Sequence, residues 1–378
     1  MPGIYIHIPF CRKACTYCNF HFSTSLGVKD DMLNGILWEL KQQREYLNGA
    51  SVETIYFGGG TPSLLSADEL NRIFDFIFNN YNVTALKECT LEANPDDLSP
   101  GYIKLLRSTP VNRFSIGVQS FFDNDLRYMN RAHNAQQADS AIKTAQDAGF
   151  EQLSIDLIYG TPGLSDKDWL SNIRRVEELQ IPHLSAYALT VEEGTALHYA
   201  INKKKAVPVD PDQSAAQFEL LMDEARAIGF EHYEISNLAK NQQYAVHNTN
   251  YWRGVPYLGI GPSAHSFDGK NRHFNIANNA AYLKSISQDK KLAFEEEILT
   301  DAQRLNEYIM TSLRTMWGCD LNKIRAEWGS SIVQKTKSAS QIFQEKKWLT
   351  LHEHKLLLTD AGKLFADHIA AELFVTSL

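Results

Sequence analysis

From residue 4 to about residue 190, short apolar runs alternate with amphipathic stretches. The runs Ile4–Ile8, Thr54–Phe57, Cys89–Glu92, Phe114–Val118, Leu153–Leu157 and Leu184–Leu189 have the length and residue types of buried strands. Between them, Met32–Tyr46 places Leu33, Ile36, Leu37 and Leu40 on one helical face. Ser66-Ala-Asp-Glu69 reads as a capping box that opens a helix through Phe78. Strand–helix alternation every 30–40 residues or so predicts a parallel sheet, and its extent predicts six repeats rather than eight. The expected architecture is α/β: a partial (β/α)6 barrel, with a doubly wound sheet as the alternative.

The pattern changes after that. Lys203-Lys204-Lys205, Pro208 and Pro211 mark a joint, followed by a helix over 212–228 closed by Gly229 and a strand at Tyr233–Ser236. From Thr300 the pattern is mainly helical, opening on the cap Thr300-Asp-Ala-Gln303. Trp348–Leu358 reads as a hairpin before a last helix near Thr359, a winged-helix-like order. The expected divisions are 1–205 for the barrel, 206–298 for an extension, and 299–378 for a smaller helical domain.

Composition narrows the function classes. The chain has 378 residues, 44% hydrophobic and 22% charged, with a net charge of −8. That balance disfavours a general nucleic-acid binder, and the basic and acidic counts over 300–378 (10 and 9) give no DNA-reading surface. Met1 runs almost at once into the first strand, so no signal peptide is expected, and no apolar run approaches the ~20 residues of a membrane span. A reducing cytoplasmic setting is expected. Membrane contact would come only through a partner, and the protein would be a monomer or homodimer.

Three of the five cysteines, Cys11, Cys15 and Cys18, fall within eight residues directly behind the first strand. Three thiolates would hold three irons of a [4Fe–4S] cube and leave the fourth open to a ligand. The same thiols with His21 would also suit a Cys3His zinc site.

Polar residues then recur where the other strands end, the rim where barrels of this kind gather catalytic groups. The second strand leads into Gly58-Gly59-Gly60-Thr61-Pro62, the third into Glu92-Ala-Asn94-Pro95, and the fourth into Gln119-Ser120. Asp156 lies near the end of the fifth. Their succession points to one shared pocket. The triple glycine lets backbone approach a ligand closely, but no Gly-Lys-Ser/Thr follows to make a phosphate loop. Glu92 and Asp156 suit an amino group and ribose hydroxyls, and Arg131 a carboxylate; the alternative is that either acid merely caps a helix or pairs with Arg131.

Tyr5-Ile-His7-Ile-Pro9-Phe10-Cys11 through Tyr17-Cys18, the Gly58–Pro62 run, Glu92-Ala-Asn94-Pro95 and Ile116-Gly-Val-Gln119-Ser-Phe121 together resemble the oxygen-independent coproporphyrinogen III oxidase (HemN-like) family of radical S-adenosylmethionine (SAM) proteins. The resemblance covers nearly the whole chain. It implies a [4Fe–4S] cluster on Cys11, Cys15 and Cys18, with SAM on its open iron. Tyr5, Tyr17, Gly59, Gly60, Thr61, Glu92, Gln119, Arg131 and Asp156 match the family's SAM-contacting positions, and Ala188 and His265 align more loosely with two more. A partial barrel with a helical C-terminal domain is implied as well.

Two branches share this core. The oxidase branch carries Cys-x-Cys at the last cluster thiolate and a longer N-terminus, whereas here Cys18 is followed by Asn19-Phe20. His247-Asn248-Thr249-Asn250-Tyr251-Trp252 resembles the H-N-x-x-Y-W signature of the heme-chaperone (HemW-type) branch. That resemblance implies heme binding, with His247 as a ligand, and delivery to heme-dependent respiratory proteins. Oxidative decarboxylation of coproporphyrinogen III is the alternative. Read without the family, a His-Asn pair before aromatic residues is more often a hydrogen-bonded structural turn.

Overall fold

The computed structural model describes residues 1–377, and its organising element is a 12-stranded sheet. Six parallel strands form the centre in chain order: β1 (Gly3–Ile8), β2 (Thr54–Gly59), β3 (Glu88–Ala93), β4 (Arg113–Gln119), β5 (Gln152–Tyr159) and β6 (His183–Ala188). Ile4, Ile6, Ile55, Phe57, Leu91, Phe114, Ile116 and Ile155 are fully buried. By register these eight share one face of the sheet, and Tyr5, Tyr56, Thr90, Ser115 and Asp156 alternate with them on the other.

Helices cover the outer face. The one at Ala67–Asn80 begins with the expected capping box: Ser66 Oγ accepts from Glu69 N–H at 3.2 Å, and the Glu69 carboxylate accepts from Ser66 N–H at 2.7 Å. Leu70, Ile73, Phe74 and Ile77 are its buried stripe. The first helix runs over Lys29–Gln42 rather than Met32–Tyr46. Asp30 and Asp31 suit the positive end of its dipole, and beyond Gln42 the chain turns through Asn48 and Gly49, both at positive φ.

Residues 206–298 flank this centre on both sides within the same sheet. β7 (Glu231–Glu234) and β8 (Asn237–Ala239) extend it antiparallel beyond β6. β9 (Tyr257–Ile260) lies parallel to β1, followed outward by β10 (His265–Phe267), β11 (Asn271–Asn275) and β12 (Phe294–Ile298). The expected single strand Tyr233–Ser236 is therefore a corner. The Glu234 carboxylate accepts from Ser236 N–H at 3.0 Å and from Asn237 Nδ2 at 2.6 Å, turning the chain back on itself.

A second hydrophobic cluster, including Leu305, Ile309, Ile324, Phe343, Leu356 and Ile369, forms the C-terminal core. It packs helices on a three-stranded sheet of β13 (Cys319–Asp320), β14 (Leu349–His352) and β15 (Lys355–Leu358). Arg314 ties this unit to the corner, its guanidinium 3.1 Å from buried Glu234. Among the described residues no helix is long and apolar enough to cross a membrane.

Candidate functional site

The loop after β1 is closed at its base by Cys11 N–H to Ser23 O at 3.0 Å and Ser23 N–H to Pro9 O at 2.9 Å. Its middle is held against the chain beyond β4: Thr16 N–H donates to Met129 O at 3.1 Å, and Asn130 Nδ2 to Ala14 O at 2.8 Å. The three thiols are unpaired and partly accessible. Thr61 Oγ1 donates to Cys11 Sγ at 3.2 Å, and Arg131 Nη1 to Cys15 Sγ at 3.2 Å. Burial pushes the Cys11 thiol up to about 11 and also raises Cys18. These thiols need a cationic centre to ionise, as a cluster's irons provide.

The strand ends supply the rest. β2 ends in Gly58-Gly59-Gly60, where two positions admit no side chain. Gly59 has φ +101°, and a Cβ there would lie 2.4 Å from the His7 ring. A Cβ on Gly60 would meet Phe10 O at 2.6 Å and Ile8 O at 2.7 Å. The glycines thus let β2 press against the start of the cysteine loop.

Glu92 on β3 is half-buried; its carboxylate accepts from Tyr56 OH at 2.7 Å and Gly59 N–H at 3.2 Å. Burial pushes it up to about 7, against the pull of the Tyr56 bond. Asp156 on β5 is raised to about 6 by burial and accepts from Ser115 Oγ at 3.3 Å. Neither acid caps a helix or pairs with Arg131. The Arg131 Nη2 instead reaches Asn94 Oδ1 at 2.6 Å and Gly117 O at 2.7 Å. At the end of β4 a register shift between Ile116 and Gln119, with Gln119 at φ +68°, turns the strand out beside them.

One cavity of about 640 Å³ gathers these groups. Cys11, Cys15, Cys18, Tyr17, Gly59, Gly60, Thr61, Glu92, Gln119, Arg131, Asp156 and Ala188 all line it. Tyr56, Ser185 and Asn248 line it too, and the sequence singled out none of these for that role. Tyr56 lies inside an apolar strand run, so only its bond to Glu92 reveals it. Tyr5 and His265 face a second cavity of about 710 Å³ instead. Asn19 and Phe20, which directly follow Cys18, line both. His21, the fourth ligand of a zinc alternative, turns its Nε2 to Asn279 Oδ1 at 2.8 Å and lines the second cavity.

His247 requires a correction. It lies in the helix Val246–Trp252, 2% exposed, with Nδ1 2.7 Å from Thr54 Oγ1 and Nε2 2.7 Å from Tyr251 OH. Burial lowers it to about 3, so it is neutral, but both ring nitrogens already have partners. The Glu88 carboxylate accepts from the Val246 and His247 N–H groups at 2.7 and 3.0 Å and so caps the helix. The motif is structural at His247, while Asn248 faces the first cavity and Tyr251 and Trp252 the second.

Known proteins match this arrangement from end to end. The Radical SAM superfamily model matches residues 5–176, and the HemN C-terminal domain model residues 299–365. A protein of Bacillus subtilis called heme chaperone HemW is 32% identical over 372 residues, 98% of each chain. One of the same name from Escherichia coli K12 is 38% identical over 394 residues, covering 99% of this chain and 98% of the other. This chain belongs to the HemW branch of the HemN-like radical SAM family. The coproporphyrinogen III oxidase (HemN) structure from Escherichia coli, a radical SAM enzyme, superposes with a TM-score of 0.85 over 99% of this chain and 90% of its own. At 22% identity that likeness is one of fold: the parallel α/β sheet and the appended C-terminal domain.

The donor set fits the cofactors this family implies. Three soft thiols share one wall, two of them already receiving hydrogen bonds that stabilise thiolate charge. Two half-buried acids and a guanidinium line the same cavity, a layout that suits a ligand carrying both an amine and a carboxylate.

Proposed function

We propose that this chain is a heme chaperone: it binds heme and passes it to heme-dependent respiratory proteins. Cys11, Cys15 and Cys18 would hold a [4Fe–4S] cluster, and SAM would sit above it in the first cavity. When bound, the cluster would supply an open iron for the amino and carboxylate groups of SAM and an electron for its sulfonium.

The chain's own residues do the rest. Glu92, kept hydrogen-bonded by Tyr56 and Gly59, would accept an N–H of the SAM amino group and ionise under the charge of the bound sulfonium. Arg131 holds the Cys15 sulfur and faces the carboxylate. Asp156 serves the ribose hydroxyls, and Gly59, Gly60 and Thr61 let the ligand lie against backbone. Tyr17, Gln119 and Ala188 complete the walls. His265 and Tyr5, turned toward the second cavity, are left out of this set. A cytoplasmic protein, meeting membranes only through its acceptors, fits this role.

What carries the heme reading is the end-to-end likeness to proteins called heme chaperones. The test is anaerobic titration of cluster-loaded protein with heme, followed by transfer to a heme-free respiratory acceptor. Saturable, near-stoichiometric binding and acceptor reconstitution are expected, with no turnover of coproporphyrinogen III. Absence of specific heme binding, together with decarboxylation of coproporphyrinogen III under SAM and reductant, would replace this reading by the oxidase.

A further inference from the structure

The second cavity, about 710 Å³, is walled by flat aromatic side chains from three parts of the chain. Tyr251 and Trp252 come from the motif helix, Tyr257 from β9, and Tyr308 and Trp328 from the C-terminal unit. Four cations, Arg253, Arg272, Arg304 and Lys323, share its lining with two acids, Glu307 and Glu327. Arg272 is paired with Glu307 at 2.8 Å, and Lys323 stands 3.9 Å from Glu327. Arg253 has no acidic partner among the described ion pairs and lies over the Trp317 ring, 4.2 Å from its centroid. Aromatic walls with cations at the edge suit a flat apolar ligand that carries carboxylates.

Three histidines reach this cavity, and two are engaged. His7 shares Nδ1 with Tyr5 OH at 3.1 Å and Nε2 with His21 O at 2.8 Å. His21 uses Nε2 on Asn279. The ring of His265, at the start of β10, makes no hydrogen bond among the described residues; it packs on Phe274 with centroids 5.2 Å apart and stays solvent-accessible. Partial burial and the nearby Arg272 cation lower its proton affinity, which favours the neutral imidazole. A neutral, unbonded imidazole is the form that binds heme iron.

We propose that this second cavity is the heme seat, with His265 as axial ligand and the rim cations holding the propionates. The assignment rests on the heme-chaperone reading and adds to it a place and a ligand. His247 anchors the wall of that seat and does not touch the iron.

The experiment is a titration of cluster-loaded protein with ferric heme, read by Soret absorbance and low-spin electron paramagnetic resonance. Wild type is compared with His265→Ala and with Thr311→Trp, which fills the cavity from the helix Asp301–Leu313. Far-UV circular dichroism checks that each variant is folded. His265→Ala should weaken binding roughly tenfold and lose the histidine-ligated signature, and added imidazole should restore that signature. Thr311→Trp should weaken binding while leaving the cluster spectrum unchanged. Wild-type affinity and signature in His265→Ala would overturn the seat while leaving the chaperone reading standing. Failure of the wild type to bind heme would overturn both.

Discussion

The imidazole of His247 and the hydroxyl of Thr54 share a buried hydrogen bond of 2.7 Å across 193 positions of sequence. Thr54 opens β2 and His247 lies in the first turn of the helix that faces both cavities, so this bond fixes that helix to the barrel. Gly3 makes the approach feasible: a Cβ there would lie 2.3 Å from Thr54 Oγ1 and 2.9 Å from His247 Nδ1.

His247→Ala should therefore act on stability first. It orphans the buried Thr54 hydroxyl and removes the partner of Tyr251, a cost of about 2 kcal/mol. Chemical denaturation measures it. Full retention of stability, with loss of the heme spectrum alone, would contradict the anchoring role.

Glu92 makes the free protein pH-sensitive. Its folded value of about 7 lies above the usual carboxylate range, so the fold favours the protonated form. The stabilising contribution is complete at acid pH and disappears as pH rises toward 7. The difference in unfolding free energy between wild type and Glu92→Gln should shift by up to about 3 kcal/mol over that window, against the wild type at higher pH. In cluster-loaded protein near pH 6, SAM binding should release protons, detected by calorimetry in buffers of different ionisation enthalpy. Glu92→Gln should bind more weakly and release fewer.

Cys18→Ser should lose the visible absorbance of the cluster after anaerobic reconstitution while keeping wild-type circular dichroism, because Cys18 is a partly accessible loop residue outside the core. Thr61→Val should retain the cluster but shift its reduction potential, since it removes only the hydroxyl that donates to Cys11 Sγ. A normally loaded Cys18→Ser cluster would mean that the ligand set is wrong.

Gly59→Ala meets two obstacles, a φ of +101° and the His7 ring 2.4 Å from the new Cβ. It should cost at least about 1 kcal/mol, read by thermal denaturation, and weaken SAM binding by moving the Gly59 N–H away from Glu92. Gly101→Ala, with nothing within 4 Å, is the control and should be nearly neutral.

What the sequence determined on its own is what neighbouring residues encode. Alternation of apolar runs and amphipathic stretches foretold β1 to β6, and the capping boxes at Ser66 and Thr300 foretold where two helices begin. The cysteine spacing and the polar strand ends foretold the wall of the first cavity. Tertiary structure alone decided the rest. β9 to β12 are short, and β12 (Phe-Glu-Glu-Glu-Ile) has no buried face to pattern it, so only pairing within the sheet defines them. Tyr56 became a partner of Glu92 because the β2–β3 register sets Tyr56 opposite Thr90, with Glu92 two residues further along the same face and within reach of its hydroxyl. His247 looked like an open ligand until Thr54 and Tyr251 occupied both its nitrogens, and His265 changed cavity because β10 folds back against β9. Periodicity and caps are set within a few residues of chain, whereas the partners of a buried polar side chain come from whichever strands the sheet brings alongside it.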